Sequence, residues 1–485
     1  MNNQNTLYWY DLETFGIESK RDRICQFAGV RTDEDLNVIG EPLTIYCQLS
    51  EEVLPEPVSC LVTGITPSIA NSRGLKEHEF IKRIHQEFIQ PGTCVAGYNN
   101  IRFDDEFMRY AFYRNFLDPY EREWKNGNSR WDIIDMVRLT HALRPDGINW
   151  PKNDDGYTSF RLELLTKENN IAHELAHDAM SDVYATIALA KLIKDKQSKL
   201  YDFVYNNRSK QSLNKMLDVR QMTPVIHVTS RYAAKQFCTA VVAPIAMHPV
   251  NKNAYIVYDL SVDPTDMIQL GVNEIKKRLF TPSYQLPEGS VRIPLKAIHV
   301  NKCPVVVPLS TLDANSAKRI GIELDLCYRN LRTLKQAGKV MDKIRTVFAN
   351  PEYEKDDDPE FRLYDGFFSD KDKVAINEIR NSSPEQLQGA NFIFEDNRLS
   401  ELFIRFKGRN FPEILTEEER LQWEEYRHFR LFQDNGPHAM TITIFREKIA
   451  QLKSEATDYT DRLHLLDELL QYADDLEEKH TGVPA

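Results

Sequence analysis

Strand and helix patterns alternate along the first 200 residues, and this alternation limits the possible folds more than any other property of the sequence. Short apolar runs predict strands at 7–10, 27–31, 43–47 and 94–97. Apolar residues at helical spacing predict helices at 75–90, 104–115 and 179–194. Strands that alternate with helices in this way indicate an α/β domain.

The pattern changes after residue 200. Short β runs at 223–228, 239–245, 254–260 and 304–308, with helical stretches at 272–279 and 316–349, predict a small barrel-like sheet with added helices. Residues 351–360, PEYEKDDDPE, have the composition of an acidic linker. Helical spacing at 402–406, 417–432, 441–456 and 459–478 predicts a helical bundle beyond it. We therefore expect three domains, at 1–200, 201–350 and 351–485.

The formal net charge of −12 is unevenly distributed among these segments. Residues 1–200 hold 23 Lys and Arg against 31 Asp and Glu, residues 201–350 hold 21 against 11, and residues 351–485 hold 17 against 31. The segment charges are thus −8, +10 and −14. The basic middle segment is the candidate to face a polyanion, and a basic solvated surface without a partner is the alternative.

Neither secretion nor membrane insertion is predicted. The first ten residues lack the basic and apolar regions of a secretory signal, and no run of about 18 apolar residues occurs. The seven cysteines are scattered and form no C-x-x-C pair, which favours reduced thiols over a disulfide framework or a zinc site. We expect a cytoplasmic protein without membrane contact.

Four acidic residues are predicted to meet in the first domain. Asp11 and Glu13 stand two apart at the end of the first predicted strand, so their side chains point to one face. Asp104 lies at the start of a predicted helix, and Asp182 lies on the helix predicted from residue 179. Taken singly, each acid is explained as well by a helix cap or a solvated surface. Together they can form a pocket whose oxygen ligands suit Mg²⁺ or Mn²⁺ and not zinc.

The order and spacing of these motifs resemble those of a known enzyme superfamily. The D-x-E pair is followed by N-x-x-x-F-D at 100–104 (Asn100, Phe103, Asp104) and by H-x-x-x-x-D at 177–182. This order is similar to the signature of the DEDDh 3′→5′ exonucleases, which have a ribonuclease H-like fold. The strings YNNIRFDDE, NSRWDIIDMVRL, LRPDGINWP, HDAMSDVYATIA, VNKCPV and LYDGFFSD resemble the bacterial exodeoxyribonuclease I family. The resemblance implies an α/β exonuclease domain, then an SH3-like β-barrel domain with added helices and a C-terminal helical domain.

The resemblance also implies an activity: metal-dependent 3′→5′ degradation of single-stranded DNA to 5′-mononucleotides in repair and recombination. Asp11, Glu13, Asp104 and Asp182 would hold two Mg²⁺ ions, for which Mn²⁺ can substitute. His177 would act as the general base, because a neutral imidazole accepts a proton near neutral pH. The protein would work as a monomer.

Substrate and partner contacts follow from the same resemblance. Residues that match positions near the DNA path are Glu13, Arg109, Tyr120, Trp124, Arg138 and Arg161. Guanidinium groups suit phosphate oxygens and aromatic faces stack on unpaired bases, although the aromatic residues can equally be structural. An aromatic cluster in LYDGFFSD (Tyr364, Phe367, Phe368) fits either domain packing or DNA contact. The family binds the C-terminal tail of the single-stranded DNA-binding protein, SSB, and the candidates for the rim of that pocket are Arg144 and Arg319.

Two other functions fit parts of the sequence. Another DEDDh nuclease, for RNA trimming or proofreading, would share the first 200 residues but need not carry the basic middle and the helical tail. A DNA-binding scaffold with a silent nuclease domain would be favoured by a lost carboxylate, whereas all four acids and His177 are present here.

Overall fold

The computed structural model describes residues 5–173, 178–338, 340–349, 356–433, 440–455 and 459–481. In chain order, its strands are β1 (Thr6–Thr14), β2 (Ile24–Thr32), β3 (Leu43–Tyr46), β4 (Thr93–Gly97), β5 (Ser129–Asp132), β6 (Val225–Val228), β7 (Thr239–Met247), β8 (Ala254–Asp259), β9 (Leu295–His299) and β10 (Val305–Pro308).

The α-helices in the first 300 residues are α1 (Pro57–Thr63), α2 (Pro67–Arg73), α3 (Glu77–Phe88), α4 (Asp104–Arg114), α5 (Ile134–Leu143), α6 (Leu162–Glu168), α7 (Ala179–Lys196), α8 (Ser198–Asn206), α9 (Lys210–Met216), α10 (Thr265–Gln269) and α11 (Val272–Phe280). Those that follow are α12 (Ala314–Ile320), α13 (Leu324–Gln336), α14 (Val340–Phe348), α15 (Asp370–Asn381), α16 (Pro384–Leu387), α17 (Arg398–Asn410), α18 (Glu417–Phe432), α19 (Ile442–Ser454) and α20 (Leu465–Thr481). Across the described ranges, none of these helices has the length and apolar character needed to cross a membrane.

The chain divides into two compact units, and each contains separate stretches of sequence. The first unit comprises Met1–Ser129, Glu174–Tyr184 and Lys355–Ala485. The second comprises Arg130–His173 and Ala185–Glu354. The first unit therefore joins the N-terminal strands to the C-terminal helices, although most of the second unit lies between them in sequence.

The first unit contains strands β3, β2, β1 and β4 of a mixed sheet, in that order. β1 pairs antiparallel with β2 and parallel with β4. Side chains alternate along a strand, so Tyr8, Tyr10 and Leu12 enter one core while Asp11 and Glu13 face the opposite side. The strand predicted at 7–10 is confirmed, and its extension to Thr14 places both acids inside β1.

Two helices cover the Tyr10 face of this sheet. α3 contributes a row of apolar residues at helical spacing, including Phe80, Ile84 and Phe88, and α4 contributes Phe107 and Phe112. All five side chains are almost completely buried. Burying a side chain of this size stabilises the fold by about 1.5–3 kcal/mol, so this core holds α4 firmly against β1.

The C-terminal helices pack on the N-terminal part of the first unit in two further cores. α19 and α20 bury Phe445 and Leu466 together with Phe15 and Leu61. α17 buries apolar residues against Tyr110, Tyr113 and Phe116, which belong to α4 and the turn after it. α18 begins at a capping box in which Thr416 and Glu419 satisfy each other's backbone N–H groups.

The second unit contains an antiparallel sheet in the order β10-β6-β7-β8-β9. A β-bulge interrupts β7 between Pro244 and Ala246, which increases the local twist of that strand. The core beneath the sheet contains Val242, Val257 and Val306 together with Leu213 of α9. This arrangement confirms the short β runs predicted after residue 200, and β9 is an additional strand that the sequence pattern did not predict.

The helical stretch predicted at 316–349 is wrong as a single element. The structure has three helices there, α12, α13 and α14. Gly321 ends α12 with a φ of 78°, a left-handed conformation that glycine adopts without steric cost, and Gly338, after α13, has a φ of 41°. Apolar spacing continues through both glycines, so the periodicity alone did not mark the breaks.

Candidate active site

Strand β1 supplies the first two acids of the site. Asp11 lies opposite Ala28 and Glu13 opposite Gln26 in the antiparallel ladder with β2. The register shifts between Glu13 and Thr14, and this irregularity ends the regular pairing just beyond the second acid. Ala28 is small and apolar and Gln26 is neutral, so neither of these β2 residues offers a positive charge to the carboxylate opposite it.

Asp104 is the first residue of α4, and its carboxylate contacts the backbone of β1. Its Oδ1 accepts a hydrogen bond from the backbone N–H of Leu12, with a distance of 3.2 Å between the two atoms. The donor residue stands between Asp11 and Glu13 in β1. Asp104 is therefore fixed beside both strand acids, as the sequence predicted.

Asp182 lies in the first turn of α7, and Asp178 caps that turn. Oδ2 of Asp178 accepts from the N–H of Ser181 at 3.1 Å, and its backbone oxygen accepts from the N–H of Asp182 at 3.0 Å. One carboxylate oxygen from each of Asp11, Glu13 and Asp182 lies within 4.8 Å of the other two. The three acids thus converge, as the spacing of the motifs predicted.

Burial and mutual repulsion make these carboxylates hard to ionise together. The pKa of Asp11 is well above its ordinary value, because the side chain is desolvated and because Asp104, Glu13 and Asp182 are negatively charged. Desolvation, with Asp182 and Asp104, raises the pKa of Glu13 to about 9. A cation shared by the cluster would remove this repulsion and hold the carboxylates ionised.

The donor set fits a hard divalent cation. All the donors are carboxylate oxygens, the type preferred by Mg²⁺ and Mn²⁺, whereas structural zinc sites use Cys and His. Glu13 and Asp104 are buried, and Asp11 and Asp182 are partly exposed, so an ion can enter from solvent. Asp11, Glu13 and Asp182 would hold the ion, with Asp104 beside them.

His177, the predicted general base, lies outside the described residues. In sequence it directly precedes Asp178 and stands five residues before Asp182. Its role stays a prediction.

Besides Glu13, described above, three of the predicted DNA contacts lie in the first unit. The guanidinium of Arg109 is buried and paired with Glu106 at 2.9 Å and Glu123 at 2.8 Å. It also lies over the ring of Tyr120, 5.3 Å from the centroid. Trp124 follows closely in sequence and is 66% exposed.

The aromatic cluster of LYDGFFSD extends this surface in the first unit. The ring of Phe367 is 87% exposed and meets the ring of Tyr120 edge-on, with 6.0 Å between centroids. Phe368 points the other way and stacks on Tyr113, with 6.1 Å between centroids. Phe368 therefore packs internally, whereas the ring of Phe367 is open to solvent.

The other two predicted DNA contacts lie in the second unit. Arg138 is buried, paired with Asp135 at 2.5 Å and stacked over Phe160. The side chain of Arg161 is 70% exposed and is paired with Glu163 at 2.5 Å. Of the two, Arg161 is more open to a phosphate.

Arg144 and Arg319, the predicted rim of a peptide pocket, both lie at the C-terminal end of α5. Arg144 donates to the backbone oxygen of Thr311 and pairs with Asp313, each at 3.0 Å. Arg319 donates to the backbone oxygen of Ala142, the residue before the end of α5. Cations at a helix C-terminus are stabilised by its unpaired carbonyls, so these contacts have a structural function as well.

Two acidic residues near this site were not predicted from the sequence. Asp178 contributes its charge to the raised pKa of Asp11 and Glu13, and its position directly after His177 was the available signal. Asp105, which follows Asp104, is buried and pairs with Arg122 at 2.6 Å beneath the cluster. The string FDDE contains two successive aspartates, and the sequence does not indicate which of the two side chains points into the apolar core.

Three family models match successive parts of the chain. The model described as exonuclease matches residues 8–190, the exonuclease I SH3-like domain matches 208–350, and the exonuclease I C-terminal domain matches 357–476. Exodeoxyribonuclease I of Haemophilus influenzae is 44% identical over 469 residues, which are 96% of this chain and 98% of the relative. The chain belongs to the exodeoxyribonuclease I family. The predicted order of an α/β exonuclease domain, an SH3-like domain and a C-terminal domain is thereby confirmed.

Solved structures of the exodeoxyribonuclease I family share the fold. Exonuclease I from Methylocaldum szegediense is 50% identical, with a TM-score of 0.93, and the match covers 97% of this chain and 99% of that one. A zinc-bound complex of Escherichia coli exonuclease I with single-stranded DNA is 42% identical, with a TM-score of 0.92 and coverage of 98% and 100%. A structure of SSB and exonuclease I with an inhibitor is 41% identical, with a TM-score of 0.89 and the same coverage. The exonuclease domain and its carboxylate cluster imply dependence on a divalent metal ion.

Proposed function

We propose that the protein is a metal-dependent exonuclease that degrades single-stranded DNA from its 3′ end and releases 5′-mononucleotides. The observation that carries the proposal is the convergence of Asp11, Glu13 and Asp182 within 4.8 Å, in a chain whose family degrades DNA. We place its role in DNA repair and recombination. Its proposed compartment is the cytoplasm, where it acts as a monomer, and the seven free thiols are consistent with a reducing environment.

The cofactor is proposed to be a pair of Mg²⁺ ions held by Asp11, Glu13, Asp104 and Asp182, with Mn²⁺ as a substitute. Bound divalent ions neutralise the carboxylates and provide Lewis-acid assistance to hydrolysis of a phosphodiester. The pKa of Glu13, raised to about 9 without a cation, supports the need for a positive charge at this position. Glu13, which lies at the register shift of β1, is also proposed to contact the substrate.

His177 is proposed to take the proton from the attacking water. An imidazole that is neutral near pH 7 is suited to this step, and its neighbour Asp178 anchors the start of α7 through the N–H of Ser181. That cap fixes the start of α7, the helix on which Asp182 lies.

Bases of the DNA strand are proposed to stack on the exposed rings of Trp124 and Phe367 and on the partly exposed ring of Tyr120. Such stacking does not discriminate between bases. Arg161 is the proposed phosphate contact in the second unit, because its side chain is 70% exposed. Arg109 and Arg138 are also proposed to contact the strand. A phosphate would compete there with Glu123 and Asp135, so we expect these two residues to contribute less affinity.

The proposed protein partner is SSB, through its acidic C-terminal tail. Arg144 and Arg319 would form the cationic rim near the end of α5, where their guanidinium groups would make charge-assisted hydrogen bonds to a carboxylate of the tail. The solved structure of SSB and exonuclease I with an inhibitor supports SSB as the partner. A fluorescent tail peptide should bind at low salt, and Arg319→Ala should weaken binding more than Lys373→Ala, on α15. Equal affinities for the two variants would remove Arg319 from the rim.

The activity is tested by digestion of end-labelled DNA. With Mg²⁺ and a 5′ label, single-stranded DNA should give a ladder that shortens from the 3′ end, and a 3′ label should appear at once as a mononucleotide. Chelation of the metal should stop both reactions. Single-stranded RNA and blunt duplex DNA serve as matched substrates, and degradation of RNA at the same rate as DNA would contradict the substrate assignment.

A further inference from the structure

A buried polar cluster lies directly behind the carboxylates, on the opposite face of β1. The hydroxyl of Tyr10 donates to Oδ1 of Asp105, with 2.7 Å between the oxygens. Nη2 of Arg122 donates to the same oxygen at 2.6 Å. All three side chains are at least 98% buried, within an otherwise apolar core of phenylalanine rings.

The position of this cluster relates it to the proposed metal ligands. Tyr10 immediately precedes Asp11 in β1, and Asp105 immediately follows Asp104 in α4. The Tyr10–Asp105 hydrogen bond therefore joins the two elements that carry these acids. A second bond, from the N–H of Leu12 to Oδ1 of Asp104 at 3.2 Å, joins the same elements on the other side of the strand.

Packing does not require these polar groups. The ring of Tyr10 packs against Phe27 and Phe88, and a phenylalanine would make the same contacts. The guanidinium of Arg122 lies 4.9 Å from the centroid of Phe88, in a site where an apolar side chain would avoid the cost of burying a charge. Buried ion pairs of this kind stabilise a fold little, but they fix one geometry, because any movement leaves a charge without its partner.

We propose that Asp105, held by Tyr10 and Arg122, is a positioning residue that fixes the distance between Asp11 and Glu13 on β1 and Asp104 on α4. This inference rests on the proposed metal-dependent function. Divalent cations of the Mg²⁺ type need nearly ideal octahedral geometry, so small displacements of one ligand weaken binding. Changes to residues that orient metal ligands typically cost about 10- to 100-fold in metal affinity or activity.

The test compares two tyrosines on one strand. Tyr10→Phe removes the hydroxyl that bonds to Asp105. Tyr8→Phe is the matched control, because Tyr8 lies on the same face of β1 and packs on the same rings of Phe27 and Phe88. The dissociation constant of Mn²⁺, measured from the electron paramagnetic resonance signal of the free ion, should rise about 10-fold in Tyr10→Phe and stay within twofold in Tyr8→Phe.

A second comparison separates positioning from general loss of stability. Asp105→Ala, which removes the acceptor of the Tyr10 hydrogen bond, and the double variant Tyr10→Phe/Asp105→Ala complete a double-mutant cycle. If the hydroxyl acts through Asp105, Tyr10→Phe should raise the Mn²⁺ dissociation constant much less in the Asp105→Ala background than in the wild type, whereas additive effects would overturn the inference. Melting temperatures of the two tyrosine variants should agree, and DNA affinity without metal should be unchanged.

The outcomes also distinguish the inference from the proposed function. An unchanged Mn²⁺ affinity in Tyr10→Phe, or an equal loss in Tyr8→Phe, overturns the positioning role even if the wild type is an active exonuclease. A wild-type protein that binds Mn²⁺ but does not cut DNA overturns the proposed function, and the comparison of Mn²⁺ affinities still decides the role of Asp105.

Discussion

Arg23, directly before β2, donates a hydrogen bond to Glu360 at 3.0 Å, although the two residues are 337 positions apart in sequence. Both side chains are almost completely buried in the first unit. Arg409 of α17 donates to the same Glu360 and pairs with Glu52 at 2.6 Å. The hairpin that carries Asp11 and Glu13 is thus tied to the C-terminal helices by ion pairs as well as by apolar packing.

The first prediction concerns this network. Glu360→Gln should lower the free energy of unfolding by about 3–5 kcal/mol, because the buried guanidinium groups of Arg23 and Arg409 lose their shared partner. Urea unfolding followed by circular dichroism measures the change. Glu413→Gln, at an exposed position before α18, should change stability by less than about 0.5 kcal/mol. Equal effects at the two positions would contradict the importance of the network.

The second prediction is a loss of stability in acid. Burial by itself raises the pKa of Glu77, but the charges of Arg114, Arg23 and Arg409 together outweigh it and lower that pKa to about 2. The pKa values of Glu52 and Glu360 are also lowered, since Arg409 and Arg23 outweigh the effect of burial. A carboxyl group whose pKa is lower in the folded than in the unfolded protein stabilises the fold at pH values above its unfolded pKa, near 4.3. This stabilisation is lost as the pH falls towards the pKa of the folded state.

The free energy of unfolding should therefore decrease steadily between about pH 5 and pH 2. Urea titrations at a series of pH values measure this slope. Glu360→Gln should have a shallower acid dependence than the wild type, because one of the protonating groups is gone. A wild-type stability that does not change over this range would show that these carboxylates are not held in their charged form.

The third prediction tests the carboxylate cluster. Asp182→Ala should abolish hydrolysis with Mg²⁺ present, while binding of single-stranded DNA persists. Its melting temperature without metal should not fall, because removal of Asp182 relieves repulsion on Glu13 and Asp11. Asp195→Ala, at an exposed position near the end of α7, is the matched control and should cut normally. A variant that keeps more than a few per cent of the normal rate would exclude Asp182 as a ligand.

The fourth prediction concerns His177. Its replacement by Ala should lower turnover by about 10²- to 10⁴-fold, the range for loss of a general base, with little change in DNA affinity. The acidic limb of the pH–rate profile should disappear as well. His173→Ala is the control, because that ring is bonded to Thr166 at 3.0 Å and has no proposed chemical role. An acidic limb that persists in His177→Ala would assign the titration to another group.

The convergence of the carboxylates could be predicted from sequence because its information is local. Asp11 and Glu13 share a face wherever their segment is a strand, and Asp104 and Asp182 begin helices whose apolar spacing is clear. These acids lie on one strand, β1, and on two helices, α4 and α7, which belong to the predicted α/β pattern. Recognition of the family motifs added the order of the acids and the roles assigned to them.

The remaining features depend on contacts between residues distant in sequence. Nothing near Arg23 indicates that its partner is Glu360, and nothing near Asp105 indicates that Tyr10 and Arg122 converge on it. The same limit applies to Arg109, which was predicted as a phosphate contact but is paired with Glu106 and Glu123. A local sequence pattern shows which residue types are present. Which residue neutralises a given charge depends on the contacts made in the folded structure.

The last prediction concerns the basic segment at 201–350. Lys276 and Lys277 lie on α11, whose buried side is formed by Ile275 and Leu279, and Arg278 on the same helix is already paired with Glu274. If DNA crosses this segment, Lys276→Ala/Lys277→Ala should weaken DNA binding and make its dependence on log salt shallower by about 0.7 for each phosphate that is no longer neutralised, because fewer counterions are released. Lys371→Ala/Lys373→Ala on α15 removes the same charge from the acidic C-terminal part and should leave the slope unchanged. The α11 variant should also release its substrate after fewer cleavages, seen as a broader distribution of product lengths. Identical slopes for both variants would mean that the positive charge of α11 solvates the second unit and does not contact DNA.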